Sequence, residues 1–284
     1  MQRIKNSWEL GKISWSVLKS DRTLTWFPVL SAVAALIIIG VFGGLVAATG
    51  VDSRDGGDSL EGIAYVFIFV GYIALAFATT YFMGALVHAA NERLDGRESN
   101  FGASMSAASA KIHRILPWAV LSATVSVVLQ AIEERLGWFG VLIARLLGAA
   151  WAVVTFLTVP VIMLEDLGPI SALKRSGQLL KKSWGENLAA QAGFGLLGIV
   201  AMLPGLIVLG LGIASGSTVV AIALGIPAVA WLVAVMVVIS AMSGIFRTAL
   251  YRFAVDGTAP PAFADADLGN AFGEKRQRGG GWLN

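Results

Sequence analysis

From Thr25 to Thr49 the chain runs for 25 residues without a charged side chain. About 20 apolar residues carry a helix across the hydrocarbon of a bilayer. In that solvent an unpaired backbone N–H or C=O costs several kcal/mol, so a spanning segment must be a helix or part of a closed barrel. Blocks this long and this apolar are spanning helices, and five more follow. The expected spans are 25–49, 62–90, 115–132, 138–164, 188–211 and 218–246. The third, which starts at Pro117-Trp118, is the shortest. The fold class this predicts is all-α and integral to a membrane, with a membrane domain over 1–255 and a mostly disordered tail over 256–284.

Composition agrees. Hydrophobic residues make up 56% of the chain and charged residues 14%, against about a quarter charged in soluble domains. Mean hydropathy is +0.75. With no cysteine, there is no disulfide framework, thiolate nucleophile or cysteine metal site. The segment before the first span is basic, and no Ala-x-Ala cleavage signal stands just before the next polar stretch, so the span reads as an anchor and not as a secretory leader.

The basic residues fix an orientation. The segments before span one, between two and three, between four and five, and after six hold 5, 4, 4 and 5 Lys and Arg, eighteen of 21. Arg54 and Arg135 fall on the other side and Arg145 within a span. Lys and Arg accumulate in cytoplasmic loops. An even number of spans with both termini cytoplasmic, in the cell's inner (plasma) membrane, satisfies this alternation.

Three of the basic segments have helical periodicity. In 3–20, Lys5, Lys12 and Lys19 form a stripe beside Ile4, Trp8, Gly11, Trp15 and Leu18. In 101–114, Phe101, Met105, Ala108, Ile112 and Ile115 share a face. In 169–184, Ile170, Leu173, Gly177, Leu180 and Trp184 oppose Lys174, Arg175, Gln178, Lys181 and Lys182. Amphipathic helices with Lys on one face and Trp or Leu on the other lie in a membrane surface. The expected lipid-headgroup residues are therefore Lys5, Lys12, Lys19, Lys174, Arg175, Lys181 and Lys182. Each surface helix precedes a hairpin of spans, so the fold could be a pseudo-threefold repeat of helix-plus-hairpin modules. The alternative is that any positive-inside protein places basic helices before its spans.

Chemistry is sparse. Arg145 is the clear intramembrane charge, roughly 10 Å deep along its helix, and is expected to snorkel toward Glu133, Glu134 or lipid phosphate. Glu165 and Asp166 are expected at a solvated helix boundary, with a charge cluster to Lys174 and Arg175 as the alternative. Pro204, Gly205 and Pro227 could shape a groove in spans five and six. Gly40-x-x-x-Gly44 permits close helix approach. His88 is expected to be an interfacial hydrogen bonder. There is no phosphate loop, nucleophile elbow or HExxH motif. No cofactor, metal or nucleic acid is expected.

The opening SWELGKISWSVLKSDRTLTWFPVLS and the later VPVIMLEDLGPISALKRSGQLLKKSWGE resemble an uncharacterised family of prokaryotic polytopic membrane proteins, a domain-of-unknown-function family, over residues 1 to about 255. The resemblance implies a membrane fold and carries no activity. Three readings of function follow. The first is a structural or accessory protein that engages the anionic leaflet, alone or with a partner complex. The second is a transporter or channel using spans five and six. The third is a lipid-active enzyme.

Overall fold

The computed structural model describes residues 2–49, 58–135, 137–183, 188–258 and 260–263. Among them the chain is almost entirely helical and contains no strand. The helices are α1 (Gln2–Ser20), α2 (Thr23–Ala48), α3 (Asp58–Leu94), α4 (Phe101–Ala110), α5 (Ile112–Arg135), α6 (Gly137–Thr155), α7 (Thr158–Leu164), α8 (Pro169–Ser183), α9 (Leu188–Ala214) and α10 (Thr218–Asp256), followed by a 3-10 turn at Pro261–Phe263. The expected tail beyond residue 263 lies outside the described residues.

Five segments are long and apolar enough to cross a membrane: Thr23–Ala48, Gly62–Leu94, Ile112–Arg135, Trp138–Leu164 and Thr218–Asp256. In α9 the side chains are described only from Gly198, and Gly198–Ala214 is an apolar helix shorter than these. The third span, expected over 115–132, is longer than its charge boundaries indicated. The second surface helix, expected over 101–114, ends at Ala110, because Lys111 leaves helical geometry (φ −106°, ψ 13°) and the chain turns there into α5. The sixth span continues well past 246, to a left-handed Gly257 whose N–H donates to Phe253 O at 2.9 Å.

The fourth span, expected as one helix over 138–164, is broken at Phe156-Leu157. Pro160 explains the position. It has no N–H to give to Phe156 O, and its ring clashes with that carbonyl in a continuous helix. As the third residue of α7 it is tolerated, since first-turn N–H groups have no helical partner anyway. The break would strand Val154 O and Leu157 N. Ser176 Oγ of α8 takes both, donating to Val154 O at 2.6 Å and accepting from Leu157 N at 3.2 Å.

Consecutive helices pair as hairpins: α2 with α3, α5 with α6, α9 with α10, and α3 also packs on α5, α7 and α10. The α9–α10 seam is cut by three glycines spaced by seven. A Cβ on Gly198 would stand 2.8 Å from Ile239 Cδ1, on Gly205 2.8 Å from Trp231 Cδ1, and on Gly212 3.3 Å from Leu224 Cβ. Gly40 and Gly44 have nothing within 4 Å, so that glycine pair makes no close approach to another described helix.

The two ends differ. One continuous core joins Leu18 of α1, Phe27 of α2, Leu86 of α3, Ile115 of α5, Ile162 of α7, Leu180 of α8 and Ile245 of α10, with Phe263 closing it. All of it lies toward the end where the basic segments gather. Toward the opposite end large apolar side chains stand open, as in Ile213 (71% exposed) and Val219 (77%). Water would not tolerate a surface of that kind at this scale, whereas lipid tails match it.

Two outcomes test this packing. Gly244 of α10 faces Leu86, and a Cβ there would stand 3.0 Å from Leu86 Cγ and 3.3 Å from Met83 Sδ. Gly244→Val should destabilise by about 1–3 kcal/mol through overpacking, read as a lower thermal midpoint in lipid nanodiscs, while Gly40→Val should not. Equal midpoints for the two variants would contradict the α3–α10 contact. Ser176→Ala should expose Leu157 N–H to amide exchange and cost about 1–3 kcal/mol for the unpaired groups. Unchanged exchange over 154–158 would show that the hydroxyl does not seal the break.

Candidate functional site

Charged side chains cluster at the basic end, where α3 and α10 outrun the roughly 30 Å of bilayer hydrocarbon. Asp95 follows the last turn of α3. It binds Arg252 of α10 through Oδ1 and Arg97 through Oδ2 at 3.0 Å, and Arg97 also reaches Glu92 at 2.8 Å. Arg252 lies 3.9 Å from Asp256, one turn on. Glu165 at the end of α7 accepts from Arg175 Nε at 3.0 and 2.9 Å and from Tyr251 OH at 3.1 Å. Asp166 takes Lys111 at 2.8 Å and Arg114 at 2.9 Å. Its backbone sits in the left-handed region (φ 58°), where Asp is one of the few tolerated residues. The Lys111 hydrogen bond, with the charges of Lys111 and Arg114, holds the Asp166 carboxyl below the usual carboxylate range.

Asp21, in the turn between α1 and α2, accepts from Ser99 N (3.3 Å), from the Ser99 hydroxyl and from Thr23 N (2.9 Å). Burial pushes its carboxyl up, but these hydrogen bonds outweigh it and leave it below the ordinary value. Arg93 Nε donates to Ser20 Oγ at 3.1 Å. These contacts bind the α1–α2 turn to the end of α3 and the α3–α4 connection. Glu165 and Asp166 thus form a charge cluster, not the expected solvated boundary. Of the two basic partners expected for such a cluster, Arg175 joins it and Lys174 does not; Lys111 and Arg114 supply the rest.

Exposed ion pairs contribute only about 0–1 kcal/mol each. Their larger consequence is which cations they leave over. Lys19, Arg22, Lys174 and Lys181 are exposed and, among the described residues, are ion-paired to no acid. Lys12 is exposed beside them. Lys19 Nζ lies 5.3 Å from the centre of the Trp15 ring. The side chains of Lys5 and Lys182 lie outside the described residues. Arg22 was not among the expected headgroup residues, because it falls after the last turn of α1 and outside the stripe spaced by seven.

The remaining expected residues are spread out. Arg145 is exposed on α6 and makes no ion pair with Glu133 or Glu134. Pro204 and Pro227 are both exposed, while Gly205 is buried against Trp231 and Leu232. Pro204 interrupts the α9 hydrogen-bond ladder, and Trp231 Nε1 donates to the nearby Ala201 O at 3.0 Å. His88 Nδ1 lies 3.3 Å from Ser104 Oγ. Among the described residues, no group of three or more His, Asp or Glu could hold a metal ion.

Two features escaped the sequence reading. Arg247 had been counted among the basic residues beyond span six. Its guanidinium is instead buried over the Phe156 ring, 4.6 Å from its centre, with no hydrogen-bond partner for Nε among the described residues. Second, each surface helix buries a serine completely: Ser14, Ser104 and Ser176. Around two of them the sequence echoes. Ser14-x-x-Val17-Leu18-Lys19 and Ser176-x-x-Leu179-Leu180-Lys181 have buried serine, buried aliphatic pair and exposed lysine in the same order. The expected α8 face of Ile170, Leu173, Gly177 and Leu180 is rotated by about one residue. Ile170 is exposed, and Ala172, Ser176, Leu179 and Leu180 are buried.

Residues 62–261 match the model of a family of unknown function, DUF6159. The match starts at the second span, so the opening SWELGKISWSVLKSDRTLTWFPVLS lies outside it, and it reaches past 255 to the 3-10 turn. No curated protein and no solved structure matches the chain. The chain belongs to the family of unknown function DUF6159.

Proposed function

We propose that the protein is a six-span membrane protein that holds and organises anionic lipid at the cytoplasmic leaflet, with both termini on that side of the plasma membrane. One observation carries the reading. At the basic end nearly every described acid is engaged by a neighbour, Glu98 being the exception, while Lys19, Arg22, Lys174 and Lys181 are left exposed. A basic residue close to an anionic leaflet contributes about 1 kcal/mol, so several together anchor this face. The same face is where a protein partner complex would dock.

The architecture under this reading is three modules, α1 with α2–α3, α4 with α5–α7, and α8 with α9–α10. The hairpin pairing, the buried serine of each surface helix and the matched Ser-x-x-aliphatic-Leu-Lys segments of α1 and α8 support it. On this reading the α9 helix, 27 residues over Leu188–Ala214, serves as the fifth span and brings the number to six. Trp231 and Leu232 occupy the space beside Gly205, which favours the lipid-organising reading over transport through this hairpin.

The chain has no native cysteine, so single substitutions report topology without background. Ser215→Cys, in the exposed α9–α10 turn, should react with an impermeant maleimide from outside intact cells, and Glu98→Cys only after permeabilisation. Ser215→Cys reacting only from inside would rule out the six-span arrangement. The purified protein should also show a higher thermal midpoint in nanodiscs of phosphatidylglycerol than in phosphatidylcholine. The difference should shrink in high salt, where exposed charges are screened. No dependence on headgroup charge would rule out the anionic-lipid reading.

A further inference from the structure

A groove of about 680 Å³ opens where α1 meets α2 and α10. Its walls change character along its length. At the start of α2 the lining passes from Arg22 through Thr25 and Trp26 to Val29, while α1 contributes Trp15, Leu18 and Lys19 and α10 contributes Val238. Both cations are exposed, and both tryptophans are open, Trp15 at 39% and Trp26 at 58%. Val238 lies on the apolar stretch of α10, eight residues before Phe246, about 12 Å along the helix. The groove therefore runs from a cationic rim, past an aromatic collar, into the depth of the hydrocarbon.

That sequence of surfaces matches one molecule. We infer that the groove holds a single anionic phospholipid, its phosphate between Lys19 and Arg22, its glycerol region beside Thr25 and Trp26, and an acyl chain along Val29 and Val238. The inference rests on the reading that the basic end faces an anionic leaflet, and deepens it to one site. Charge selects the occupant. The two cations lack an acid partner among the described residues, whereas Arg93 beside them is bound to Ser20 and Asp21 is bound to Ser99 and Thr23. An amphipathic tryptophan prefers the headgroup level of a bilayer, and two of them flank this rim. A zwitterionic lipid would fill the apolar floor but bring its own cation toward Lys19 and Arg22. A free phosphate would leave the apolar floor empty.

Native mass spectrometry of the full-length protein released from nanodiscs of equimolar phosphatidylglycerol and phosphatidylcholine tests the site. The wild type should retain one phosphatidylglycerol in preference to phosphatidylcholine. Lys19→Gln with Arg22→Gln should weaken that retention by about 30-fold, from about fivefold per charge. Lys174→Gln with Lys181→Gln, which removes the same charge elsewhere on the basic face, should lower the number of loosely held phosphatidylglycerols and leave the one tightly retained lipid in place. Val238→Trp should block the acyl channel and lower retention with the rim unchanged. Equal loss in the two double variants would overturn the site while sparing the general attraction to anionic lipid. No preference for phosphatidylglycerol in the wild type would defeat the underlying reading itself. Release of the lipid by millimolar inorganic phosphate would show an anion rim without a lipid groove, and would also overturn the proposal.

Discussion

A helix that crosses hydrocarbon must satisfy its own backbone, and the fourth span cannot. Pro160 forbids a continuous helix through Phe156, so two backbone polar groups come free where water is scarce. Ser176 closes both bonds with one hydroxyl. The requirement propagates outward. For Ser176 to reach the break it must face inward, fully buried. That orientation turns Ala172, Leu179 and Leu180 to the core with it, and at helical spacing it turns Lys174 and Lys181 away. The basic face of α8 is thus positioned by a backbone defect in another helix as much as by its own amphipathicity.

The same logic explains what the sequence made legible. Uncharged blocks are properties of whole segments, and they located the apolar helices, though not the end of α10, ten residues beyond 246, or the break between α6 and α7. Contacts that depend on one polar side chain were not legible. Ser176 lies on the polar side of any hydropathy-based wheel, so the expected α8 face was rotated by about one residue, toward Ile170. Arg247 was counted with the basic residues after the sixth span because it follows an apolar run, yet the helix continues and carries it over the Phe156 ring. Glu165 and Asp166 looked like an ordinary solvated helix end, because their partners Arg114, Lys111 and Tyr251 are distant in sequence. In each case the deciding partner lies on another helix, where sequence periodicity gives no information.

The packing divides the molecule. At the basic end, α1, α4, α7 and α8 fill the spaces between α3, α5 and α10, and the core there is continuous. At the opposite end the hairpins present large aliphatic side chains outward. Dispersion and hydrophobic burial can stabilise only the first of these regions by intramolecular contact. The second depends on lipid, and within it the α9–α10 seam gains contact by removing side chains, with Gly198, Gly205 and Gly212 letting Ile239, Trp231 and Leu224 close in. Close approach through small residues is how helices associate where no hydrophobic force acts between them.

This division also bears on where a ligand can be held. A site needs walls that stay in place, and here fixed walls are concentrated at the basic end. The α1–α2 turn is pinned by Asp21 to Ser99 and by Ser20 to Arg93, so Lys19 and Arg22 project from a tethered turn. On the apolar side, Leu18 and the adjoining Phe27 are buried in the common core. Arg145 is exposed too, on α6, but lines no groove with a second cation among the described residues. A lone snorkelling arginine attracts phosphates in general. Under the proposed lipid site, two cations on a braced turn above an apolar channel would select one lipid and retain it, because the rotational freedom of the turn has already been removed by folding.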